Sequence, residues 1–103
     1  MKKSAMSLLM AALGFVVPGL SFADAAAVEA QYNKSCVACH ASGAAGAPRT
    51  GVAAEWQPRL SKGLDVLVQN AIKGVNAMPP KGMCFDCTEA DMKALIEFMS
   101  AGK

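Results

Sequence analysis

Five consecutive residues, Cys36-Val37-Ala38-Cys39-His40, put two thiols three positions apart and an imidazole directly after the second. On a helical turn, side chains at i and i+3 share a face. In that register the thiols can add to the two vinyl groups along one edge of a porphyrin. The histidine that follows is then held under the macrocycle, where a ring nitrogen reaches the iron. The string C-x-x-C-H is therefore read as the attachment site of one c-type haem, with Cys36 and Cys39 as covalent anchors and His40 as the first axial ligand.

An iron that only carries electrons needs a second axial ligand. The chain contains 1 histidine, so a second imidazole from the same chain is excluded. Methionine remains, and Met78, Met83, Met92 and Met99 are the candidates. Met92 and Met99 fall on an apolar helical stripe and read as core. Met78 precedes Pro79-Pro80, which biases its backbone towards the extended region and stiffens the loop. Such a loop presents a thioether at a low ordering cost, so Met78 is favoured, with Met83 as the competitor in the same loop.

The elements that must position these groups are helical. Residues 24–39 lack glycine and proline, and Val28, Tyr32 and Cys36 repeat at i, i+4, i+8. Residues 41–51 read as loop. Residues 52–57 read as a short helical turn stopped by Pro58. Residues 64–73 form a second helix, with Leu64, Leu67, Val68 and Ala71 on one side, Ser61 as its cap and Gly74 as its stop. Residues 75–86 are irregular, because Pro79, Pro80 and Gly82 forbid regular structure. Thr88 to Asp91 resembles a capping box and opens a third helix. Met92, Leu95, Ile96 and Met99 line one of its faces, and Gly102 ends it. No stretch alternates over a strand length, so the expectation is an all-α domain of three main helices around one covalent haem.

The first 23 residues read differently. Lys2 and Lys3 precede an apolar run over residues 5–17 whose only polar side chain is Ser7, followed by Pro18-Gly19 and small residues at 21 and 23. This pattern is that of a cleaved secretory signal peptide, residues 1–23, leaving a domain over residues 24–103. An uncleaved membrane anchor is the alternative, but the run is short for a span. Without Lys2 and Lys3, 8 of the 10 basic residues remain against 8 acidic ones. That neutral balance, with no basic block, excludes a nucleic-acid partner. A domain this small builds a thin core and needs a staple, which a covalent haem provides. The leader and the cysteines fit an oxidising compartment, read as a bacterial periplasm.

The motifs together resemble a known family. Cys36 to His40, then residues 46–51, Trp56-Gln57-Pro58-Arg59, and Asn76-Ala77-Met78-Pro79-Pro80-Lys81-Gly82 with the Cys84/Cys87 pair are similar to cytochrome c5, a small class I c-type cytochrome of bacteria. The resemblance covers residues 31–99. It implies the cytochrome c fold, with terminal helices packed on each other, His40/Met78 ligation, and electron transfer. It also implies that the Pro48 carbonyl accepts the proximal imidazole N–H, and that Trp56 and Arg59 lie near the haem propionates. Ordinary core and surface roles are the alternatives for those two.

Two readings compete for the remaining cysteines. Cys84 and Cys87 are surplus to one haem site, and Thr88 stands where a second haem motif needs histidine, so they are expected to form a disulfide, with buried free thiols as the alternative. All four cysteines as a zinc knuckle would span 44 intervening residues, against the usual ~15–20, and would leave His40 idle. An enzyme would need an open iron with acid–base groups nearby, and the segment around Met78 offers none. The reading is thus an electron carrier, or the haem subunit of a larger oxidoreductase complex. Its partners would be redox proteins such as membrane-bound oxidases or reductases. Lys34, Lys62, Lys73 and Lys81 are candidates to steer them around an exposed haem edge, with ordinary solvated charge as the alternative.

Overall fold

The computed structural model describes residues 22–101. Residues 1–21 of the expected leader, and Gly102, lie outside the described residues. The chain runs through helix α1 (Phe22–Gln31), a π-helical turn (Tyr32–Cys36), α2 (Val37–His40), α3 (Ala53–Leu60), α4 (Leu64–Lys73) and α5 (Glu89–Ser100). Single 3-10 turns lie at Ala44–Gly46 and Pro80–Met83. Among the described residues there is no strand, only an isolated antiparallel bridge between Val75 and Met78. The all-α expectation holds.

α5 is the centre of the packing and lies against both α1 and α4. Its apolar stripe is buried as the spacing requires: Met92, Leu95, Ile96 and Met99 are all in the core, and Leu95 is fully enclosed. Val68 and Ala71 of α4 close one side. Tyr32 meets Phe98 of α5 at a centroid distance of 5.2 Å, tilted by 58°. The capping box forms as expected: Thr88 Oγ1 accepts from Asp91 N at 3.1 Å, and Asp91 Oδ2 accepts from Thr88 N at 2.9 Å.

Three expectations need correction. Pro58 does not stop α3, which continues to Leu60. The N–H that proline lacks would have paired with the carbonyl of Ala54, and Ala54 is exposed, so the missing bond falls on the surface and not in the core. The short helical turn expected there is a helix of eight residues, so that four helical segments rather than three surround the core, α1 to α2 counted as one. Ser61 does not cap α4; its hydroxyl donates to Pro58 O at 2.7 Å, closing the end of α3, and Gly63 holds the cap position. The N-terminal helix is not uniform either. In the π turn Val37 N–H bonds back to Tyr32 O, one residue further than in an α-helix. The turn leads directly into Cys36 to His40, of which Cys36 and His40 are buried and Cys39 is exposed.

Candidate functional site

The short α2 carries the thiols and the imidazole. The loop after it returns under the histidine ring, where His40 Nδ1–H donates to Pro48 O at 2.8 Å. This fixes the tautomer and leaves Nε2 as the nitrogen open to a metal. Four further bonds hold the strap over residues 48–51. Thr50 N–H donates to His40 O at 2.8 Å, and Gly51 N–H donates to Met99 O at 2.8 Å. Trp56 Nε1–H donates to Arg49 O at 2.9 Å, and the hydroxyls of Tyr32 and Thr50 lie 2.8 Å apart. The Trp56 ring stacks on the His40 ring at 5.8 Å.

Facing this strap is the loop from Gly74 to Met83. Val75 and Met78 exchange backbone hydrogen bonds of 3.1 and 2.8 Å, which folds the chain tightly enough to turn Met78 inward. Gly74 makes this approach possible. It adopts φ +89°, and a Cβ there would stand 3.1 Å from both Met78 O and Pro80 N. Three non-glycine residues of the loop, Asn76, Lys81 and Met83, also have left-handed backbones. Such conformations are costly and persist where surrounding structure enforces them. Here the enforcing contacts include Cys84 N–H to Lys81 O at 3.0 Å and Lys81 Nζ to Cys87 O at 2.8 Å. Neither the role of Gly74 nor the reciprocal Val75–Met78 pair was anticipated from sequence; Gly74 was read only as a helix stop.

Between strap and loop lie two adjoining cavities of about 440 and 290 Å³. His40, Pro48, Arg59 and Met78 line both. Trp56 lines the larger, and Cys36 and Cys39 line the smaller. The walls are mostly apolar, with Met92, Leu95, Ile96 and Met99 of α5 at the back. Met83 reaches the rim but is 61% exposed, whereas Met78 is half-buried. Burial pushes the Cys36 thiol up, which disfavours a metal-binding thiolate. Two thiols, one imidazole nitrogen, a thioether and a mostly apolar space fit a haem. Arg59 and Lys62 line the larger cavity, and the Arg59 guanidinium donates to Glu55 O at 2.6 Å.

The other cysteines lie apart from this space. The Sγ atoms of Cys84 and Cys87 are at bonding distance, with Cα atoms 5.4 Å apart, and both residues are buried. Among the described residues, the one cluster of potential metal-ligating atoms is Cys84, Asp86 and Cys87. It includes neither Cys36 nor Cys39, so the four-cysteine knuckle is not assembled. The lysines named for partner steering differ in their surroundings. Lys62 lines the larger cavity, but the Lys81 ammonium is committed to the Cys87 carbonyl.

Residues 23–99 match the family described as cytochrome c oxidase, cbb3-type, subunit III. Cytochrome c5 of Ectopseudomonas mendocina is 46% identical over 69 residues, covering 65% of this chain and 79% of that protein. The chain belongs to the cytochrome c5 family. It is a class I monohaem c-type cytochrome with covalent haem c, an electron carrier and not an enzyme. A monohaem ferrocytochrome c from Shewanella putrefaciens has the same fold, at 58% identity and a TM-score of 0.65 over 74% of this chain and 94% of that one. A chain in the electron-transfer complex of nitrite reductase with cytochrome c is 42% identical, with a TM-score of 0.65 over 73% and 94%. The cytochrome c fold expected from the resemblance is thus the fold of this protein.

Proposed function

We propose that this cytochrome carries electrons in the bacterial periplasm through a haem bound by Cys36 and Cys39 and ligated by His40 and Met78. The observation that carries the reading is the placement of His40 and Met78 on the same two cavities, with the His40 ring fixed through Nδ1 and the Met78 backbone fixed on both sides. The bound haem supplies one-electron exchange at iron. His40 and Met78 would hold the iron of that haem between them, which would leave no substrate site there. Methionine opposite histidine also sets a high potential. Pro48 orients the imidazole, and Trp56 and Arg59 shape the propionate side. A disulfide between Cys84 and Cys87 ties the end of the Met78 loop to the start of α5.

Export by cleavage after Ala23 supplies the oxidising compartment that this disulfide requires. The partners are other redox proteins, a reductase among them by analogy with the nitrite reductase complex. The family match to an oxidase subunit supports a second reading, a haem subunit of a larger oxidoreductase complex.

An optical spectrum of protein expressed in a periplasm tests the central reading. The pigment should remain on the chain in acidified acetone, and the oxidised protein should show an iron–methionine charge-transfer band. Extractable pigment would end the covalent assignment to Cys36 and Cys39, and absence of the band would end the Met78 assignment. N-terminal sequencing should begin at Asp24. Elution as a monomer from periplasmic extract supports the free carrier, and co-elution with an oxidase or reductase supports the subunit.

A further inference from the structure

The peptide group joining Pro48 to Arg49 is held at both ends. Its carbonyl oxygen, on Pro48, accepts the His40 Nδ1–H at 2.8 Å. Its N–H, on Arg49, donates to Glu55 Oε1 at 3.1 Å. The peptide is trans, so these two bonds point in opposite directions along one resonant amide. The other carboxylate oxygen, Oε2, takes the Arg49 side chain, from Nε at 2.7 Å and from the terminal nitrogen at 2.6 Å. The guanidinium thus occupies one oxygen and leaves the other to the amide. These contacts hold the Glu55 carboxyl below its ordinary range.

We infer that Glu55 is a positioning residue for the electron-transfer centre, acting on the proximal histidine through the Pro48–Arg49 peptide. The inference rests on His40 being an iron ligand. A carboxylate that accepts from an amide N–H draws the amide towards its charge-separated form, and its carbonyl oxygen becomes a stronger acceptor. Bonds coupled in this way strengthen each other by about 10–30%. A stronger acceptor on Nδ1–H makes the opposite ring nitrogen more basic, as in carboxylate–histidine–metal triads. Here the carboxylate reaches the imidazole through one intervening peptide. A more basic ligand favours the more positive ferric iron, so Glu55 lowers the reduction potential. Trp56 Nε1–H on Arg49 O keeps the strap in place while this happens.

The test uses the holoprotein and its Glu55→Gln variant, which keeps an acceptor oxygen but removes the charge. The potential should rise, and the His40 Nδ1–H proton resonance of the reduced protein should move upfield. Loss of one negative charge would raise the potential through space as well. The double variant Arg49→Gln/Glu55→Gln therefore decides, because it restores the net charge without restoring the carboxylate. Both readouts should stay shifted in the double variant. Their return to the wild-type values, or no shift in Glu55→Gln, would overturn the inference. In the unaltered protein the Arg49 amide should be protected from hydrogen exchange, although Arg49 is an exposed residue. A freely exchanging Arg49 amide would overturn the inference whether or not the variants fold. A wild-type protein lacking the iron–methionine band, or lacking a haem-shifted His40 ring, would instead refute the ligation on which the inference rests.

Discussion

Two methionines share one short loop, and their surroundings separate them. Met78 is half-buried on both cavities, with its N–H and C=O bonded to Val75. Met83 is 61% exposed and has a left-handed backbone. Replacing Met78 by Ala should abolish the iron–methionine band and lower the potential, because loss of the thioether removes the ligand that raises it. Replacing Met83 by Ala should leave the band unchanged. The reverse pattern in optical spectra would move the ligand to Met83. A second prediction concerns a residue that lines neither cavity. Gly74→Ala forces φ +89° on a residue with a Cβ and drives that Cβ against the backbone of Met78 and Pro80. The strain is worth about 1–3 kcal/mol. It falls on the loop, so the methionine band should be lost at a lower temperature in Gly74→Ala than in wild type. Residues that line the cavities were legible where covalent chemistry dictates spacing, as at Cys36, Cys39 and His40, or where proline stiffens a loop, as at Met78. The roles of Gly74, Val75 and the Arg49–Glu55 pair were not, because each depends on backbone segments that meet only after folding. No periodicity announces such meetings.

At the scale of elements, periodicity made α4 and α5 readable, since each puts apolar residues on one face. The π turn at Tyr32–Cys36 left no such mark, as the sequence there is compatible with an ordinary helix. α3 was hidden because an interior proline reads as a stop, whereas here Pro58 falls two residues from the helix end on an exposed turn, where the helix tolerates it. The capping box of α5 carries its own pH dependence. The Thr88 backbone N–H is the main cause holding Asp91 below the ordinary carboxylate range. A carboxyl whose folded pKa is depressed contributes stability that is present above its unfolded pKa, about 3.9, and lost as pH falls through the folded value. The thermal midpoint should therefore fall on acidification below about pH 4, and Asp91→Asn should be less stable at neutral pH with a shallower acid dependence. Thr88→Ala should cost about 1 kcal/mol at neutral pH, which a thermal melt reads as about 4–8 °C in a domain of this size. Equal acid sensitivity in wild type and Asp91→Asn would assign the effect to other carboxylates.

At the scale of the whole molecule, the core and the site are one object. Trp56, Met92, Leu95, Ile96 and Met99 are among its most buried side chains, and the same residues wall the cavities. A chain that never acquired haem would have to keep that space open. The larger cavity alone is about 440 Å³ and mostly apolar, so without haem its walls lose their packing partner and meet water instead. A domain of this length has in total only about 4–12 kcal/mol, at ~0.05–0.15 kcal/mol per residue. The native packing should therefore not survive without the group that fills the space. The apolar stripe of α5 would still favour helix, and the disulfide would still close its short loop, so the expected product is a chain with some helix and no fixed side-chain packing. The variant Cys36→Ala/Cys39→Ala, which cannot retain haem covalently, should keep part of its far-ultraviolet circular dichroism and lose the near-ultraviolet signal of Trp56. It should also show no cooperative thermal transition. A cooperative melt with native near-ultraviolet signal in a haem-free sample would mean that the helices close over the cavity by themselves, and that haem supplies function without being needed for the fold.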